Sequence, residues 1–185
     1  MGKGYLLILI GAVLSATLLL PLPAGISDIW GRLTFMGYLI VVIGLREVNG
    51  SAKELQSARF FLLVAMLIRI ATPWVPQLLG NSVHVRVLLE VLQVFFTLGV
   101  FFWLLKSEYM WSPNGFKRMD LLLYSGISVV YLLTYGLFWM RVTGVIALGL
   151  DHVTLLRMVQ FFNIFYYVVL WFTLAKLYVE ARKEI

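Results

Sequence analysis

Five ionisable residues lie inside otherwise apolar stretches of this sequence: Arg32, Arg69, Arg86, Glu90 and Arg157. Holding a charge in an apolar surrounding is expensive, so such positions are functional candidates by default. Arginine stays charged and grips a carboxylate or phosphate through two parallel hydrogen bonds. Glu90 is the one acid well inside an apolar segment, a helical turn from Arg86 and on the same face. Arg69 is predicted at about Glu90's level on the preceding, antiparallel helix. A structural ion pair between Arg69 and Glu90 is therefore expected, because neither charge can be solvated by lipid.

That pairing leaves Arg32, Arg86 and Arg157, each one to two turns beyond the start of an even-numbered helix. Facing one another, they would form a cationic ligand pocket, with Gln93, Gln160 and Asn163 deeper and able to orient a solute by hydrogen bonds. Trp30, Tyr38, Phe95, Phe96, Tyr131, Tyr135, Phe161 and Phe162 are the aromatic candidates for its wall. The competing reading is structural. Arginines near helix ends snorkel to headgroups, Trp30, Trp74, Trp111 and Trp139 fit an interfacial belt, and buried amides join helices.

Other chemistry is sparse. His84 and His152 open the fourth and sixth segments and read as interfacial polar caps rather than haem or metal ligands. The absence of cysteine removes disulfides, thiolate metal sites and cysteine nucleophiles. No GxSxG, HExxH or P-loop motif is present. A non-enzymatic protein without a cofactor is the expectation.

The elements that must position these residues are set by composition. Of 185 residues, 62% are hydrophobic and 13% charged, where soluble domains run near a quarter charged. The fold class expected is all-α, a polytopic six-transmembrane-helix bundle forming a single membrane domain over residues 1–185. Its apolar segments are Tyr5–Leu22, Ile29–Leu45, Ala58–Leu79, Val83–Leu105, Leu121–Met140 and Val153–Leu177. They group into three helical hairpins, at about 3–50, 57–106 and 118–177. Pro21 and Pro23, Pro73 and Pro76, and Gly144 and Gly149 mark the breaks at one end, each followed by a capping residue: Ser27 or Asp28, Asn81 or Ser82, and Asp151. The apolar stretch Val142–Leu150 reads as interfacial or re-entrant. Leu88–Gln93 and Leu155–Gln160 share a pattern that points to internal duplication. The first segment also has the layout of a signal peptide, a short basic start followed by an apolar run, but it reaches spanning length.

Ten of the fifteen cations fall at the amino terminus, the even-numbered loops or the carboxyl tail. The positive-inside rule then places both termini in the cytoplasm of a multi-pass cell-membrane protein. The net charge of +6 is read as basic loops facing anionic lipid, with no role for nucleic acid.

Ala12 and Ala16 have the small-xxx-small spacing of a close helix contact, within the bundle or toward a partner membrane subunit. With the six-helix count and inward termini, this resembles the substrate-binding components of energy-coupling-factor vitamin importers. The resemblance is at the level of fold and carries no binding residues over. The expected function is binding or transport of a small anionic or amphipathic solute from the extracytoplasmic side. The alternative is a non-catalytic sensory or assembly subunit of a larger membrane complex.

Overall fold

The computed structural model describes residues 2–16, 24–48, 50–78, 82–112, 115–146, 149 and 151–183, with side chains in these ranges except at 24–31, 76 and 115. The chain is all-helical over these residues. The helices are α1 (Gly2–Leu14), α2 (Ala24–Glu47), α3 (Ala52–Ala71), the single turn α4 (Val75–Leu78), α5 (Val83–Trp111), α6 (Gly115–Val142) and α7 (His152–Lys183). In lipid every backbone N–H and C=O must be satisfied within the segment, and continuous helix does that. Helices α5, α6 and α7 are long and apolar enough to cross a membrane.

Helices run past the apolar segments that announce them. Helix α5 continues six residues beyond Leu105, and α7 six beyond Leu177. Apolarity marks where lipid is the solvent, while backbone hydrogen bonding carries on into the polar ends. The third segment behaves differently. Helix α3 ends at Ala71 rather than near Leu79, because Pro73 has no N–H to continue the helical ladder and its ring crowds the carbonyl four residues back. The end of the first segment, Asn81 and Leu150 lie outside the described residues, and the side chains of Ser27 and Asp28 are not described.

Each long helix packs on its neighbour in sequence, and the last closes on the first. The contacts run α1 to α2, α2 to α3, α3 to α5, α5 to α6, α6 to α7 and α7 to α1, with the strongest inside the three expected hairpins and the weakest of this ring between α2 and α3. The bundle is therefore a closed ring with a middle.

Helices α1 and α2 approach most closely. Gly4 and Gly11 stand seven residues apart on α1, and Gly37 and Gly44 do the same on α2. Seven residues is two turns, so each pair shares one face. A Cβ on Gly37 would meet the Gly11 carbonyl oxygen at 2.7 Å, and one on Gly44 would meet that of Gly4 at 2.8 Å. Only glycine allows backbones this close, and the register is antiparallel. Ala12 and Ala16 are fully buried beside this seam, so the small residues of α1 face inward, not toward a partner.

The end of the bundle that carries both chain termini is tied by polar pairs. The Tyr5 hydroxyl donates to Glu108, which also faces Lys117 at 3.7 Å. Lys176 meets Asp120 at 2.6 Å, and the Arg59 guanidinium donates to the Leu45 carbonyl at the end of α2. At the opposite end, α6 stops in a Schellman arrangement. Gly144 adopts φ +73°, Val145 N–H donates to Met140 O, and Gly144 N–H to Arg141 O. Helix α7 starts on Asp151, whose Oδ1 accepts the Thr154 N–H at 2.8 Å.

Candidate functional site

The middle of the ring is not filled. A cavity of about 220 Å³ lies there, walled by α2, α5, α6 and α7 and by the end of α3. Five tyrosines contribute to its wall, Tyr38, Tyr131, Tyr135, Tyr166 and Tyr167, with Gln93 and Thr97 beside them. A cavity of about 150 Å³ is enough to hold benzene, so this one takes a group slightly larger than one aromatic ring.

The polar groups of the wall are satisfied in defined circuits. Thr97 spends its single proton on the Gln93 carbonyl at 2.8 Å. Tyr38 must then donate to Thr97 Oγ1 at 3.0 Å, and its oxygen accepts from Gln93 Nε2 at 3.4 Å. Asn163 is fully buried and donates Nδ2–H to the Tyr131 hydroxyl at 2.8 Å. Tyr124 donates to the Leu98 carbonyl at 2.9 Å, so Tyr166 donates to Tyr124 at 3.0 Å. Tyr124 lies two turns nearer the chain-terminal end of α6 than Tyr131. With Tyr166 and Leu98 it forms a buried floor that closes the cavity on that side.

The other side leads into an open cleft of about 1130 Å³ between α2, α3 and α5. This is the seam where the ring packs least. Arg32, Arg69 and Arg86 line the cleft, together with Phe35, Met36, Trp74 and Glu90. Arg69, Thr72 and Glu90 line the cleft and the cavity alike, so they mark the junction between them. Helix α3 delivers Arg69 and Thr72 to this junction because it ends there, before Pro73.

The sequence-based candidates are distributed as follows. Arg32 and Arg86 line the cleft, and Gln93 lines the cavity. Arg157 is exposed and lines neither; the third guanidinium of the cleft is Arg69. Asn163 supports the wall from behind through Tyr131, and Gln160 is half-buried outside the lining. Arg69 and Glu90 face the same space, yet no guanidinium nitrogen comes within 4.0 Å of the carboxylate. The expected direct ion pair is not formed. The charges bearing on Glu90 are Arg86 and Arg69, and its hydrogen-bond donor is Tyr135, at 3.4 Å.

Among the aromatic candidates, Tyr38, Tyr131 and Tyr135 line the cavity, whereas Phe95 and Phe161 are exposed. Phe96 packs on Phe61, outside the lining, and the Trp30 side chain is not described. Tyr166 and Tyr167 were missed. Their signal was available: adjacent hydroxyls deep in an apolar helix need buried partners. His152 stacks on Phe138 at 5.1 Å, and among the described residues no group of acids and histidines is placed to hold a metal.

No family model matches this chain, and no curated protein or solved structure does.

Proposed function

We propose that this protein is a six-crossing cell-membrane protein, both termini cytoplasmic, that binds or transports a small amphipathic anion taken from the extracytoplasmic side. The observation carrying this reading is the junction of two unlike spaces at Arg69, Thr72 and Glu90. One space is a ring-sized cavity of tyrosines; the other is an open cleft with three guanidiniums. Such a pair of spaces suits a solute with two unlike ends. Its carboxylate or phosphate sits between Arg69 and Arg86, gripped by parallel N–H donors, and its apolar ring enters the cavity and displaces water. The excess of positive charge in the cleft steers anions inward. The Tyr124–Tyr166 floor keeps the solute from passing through, so this form binds from one side. No nucleotide-binding motif accompanies the site, and active transport would draw on a partner subunit or an ion gradient.

Benzoate is the simplest probe of this chemistry, being one ring and one carboxylate. Native mass spectrometry of protein extracted with its own lipid should retain a small anion, and calorimetry should detect benzoate binding. Arg69→Ala and Arg86→Ala are each expected to weaken that binding by about tenfold or more, since a hydrogen bond to a charged group is worth about 1.5–3 kcal/mol. A stoichiometric co-purified protein, no retained anion and no benzoate binding would favour the assembly-subunit reading instead.

A further inference from the structure

We propose that Glu90 couples anion binding to uptake of a proton, so that solute and proton occupy the site together; this rests on the solute-binding reading above. The argument starts from charge. Among the described residues, Glu90 is the one acid lining either the cavity or the cleft, and it shares the cleft with Arg32, Arg69 and Arg86. Among the described residues, the site thus sets three guanidiniums against one carboxyl group. Arg69 and Arg86 are the charges that bear on Glu90, but neither is locked to it by an ion pair within 4.0 Å. Its one hydrogen-bond donor is the long contact from Tyr135 at 3.4 Å. The two arginines are therefore free to turn to an incoming carboxylate.

An anion seated between them changes Glu90's surroundings in three ways at once. It engages the two guanidiniums, offsets their positive charge, and adds a like charge beside the carboxylate. Each disfavours the ionised acid. A proton from the water in the open cleft then binds a Glu90 oxygen, and the anion keeps both arginines. The titratable and charged groups that share these linings with Glu90 are Arg32 and Tyr38 from α2, Arg69 from α3, Arg86 from α5, Tyr131 and Tyr135 from α6, and Tyr166 and Tyr167 from α7. His84 and His152 lie outside both linings.

The linkage fixes the sign. If binding takes up a proton, affinity rises as pH falls, by at most tenfold per pH unit over the range separating the free and bound titrations of Glu90. The test is calorimetric titration of the full-length protein with benzoate between pH 6 and 9, in buffers of different ionisation enthalpy, which counts protons directly. The expected result is uptake approaching one proton per benzoate in the wild type. Glu90→Gln should bind benzoate at the tight, low-pH affinity throughout and take up none. Tyr135→Phe, which removes the donor to the carboxylate, should move the pH profile upward without abolishing it. Benzoate binding with no proton uptake and a flat pH profile overturns the coupling while leaving the solute-binding reading intact. Absence of benzoate binding at every pH overturns both, and uptake that persists in Glu90→Gln assigns the proton to another group.

Discussion

At the scale of single residues, short polar groups decide which helix faces are wet and where helices begin. Asp151 is the clearest case. The Thr154 side chain and then its backbone N–H hold the Asp151 carboxyl below the usual carboxylate range. A lowered value in the folded chain means the carboxylate's contribution is present above the unfolded value of about 3.9 and lost as pH falls below it. Asp151→Ala should therefore lower Tm at neutral pH, and the gap to wild type should close as the solution is acidified below about pH 4. Asp151→Asn, which still accepts the N–H, should lie near wild type at neutral pH. Thermal melts across pH check both. This cap was readable from the chain alone, because its donor is three residues away. The membership of the cleft was not. Depth along the helices groups Arg157 with Arg32 and Arg86 and sets Arg69 beside Glu90, but which guanidinium turns into the cleft depends on a neighbouring helix that local pattern does not name.

At the scale of elements, the helices are legible and their faces are not. Apolar runs and prolines locate the segments, and the three hairpins follow from short connections. A soluble helix reveals its inner face by a polar stripe on the other. Here core and lipid are both apolar, so the stripe is missing, and only their hydroxyls mark Tyr166 and Tyr167 as inward-facing. Close packing leaves a fainter mark. The paired heptad glycines of α1 and α2 identify their seam, whereas Ala12 and Ala16 alone left open whether that face turned inward or to a partner. Substitution at the seam should be costly. Gly37→Ala brings a methyl against backbone atoms of Gly11 and Leu14, and overpacking of this kind costs about 1–3 kcal/mol. Gly126→Ala on α6 meets nothing within 4 Å, and should leave Tm unchanged or raise it, since alanine is the better helix former. The two melting shifts, measured in one detergent, should have different signs or clearly different sizes.

At the scale of the whole molecule, closure of the ring turns separate helices into a container. No single helix holds the site: the tyrosines come from α2, α6 and α7, the amide from α5 and the arginines from α2, α3 and α5. The floor at Tyr124 and the polar ties among Tyr5, Glu108 and Lys117 close the terminal end, while the α2–α3 seam stays open at the other. In the proposed binding mode this open junction faces outward and seats the anion. Because the chain lacks cysteine, a single Thr72→Cys variant reports on the junction without background. In intact cells a membrane-impermeant maleimide should label it from the external side, and benzoate should slow that labelling. Labelling only from the cytoplasmic side, or at the same rate with and without benzoate, would rule out an anion seated at an outward-facing junction.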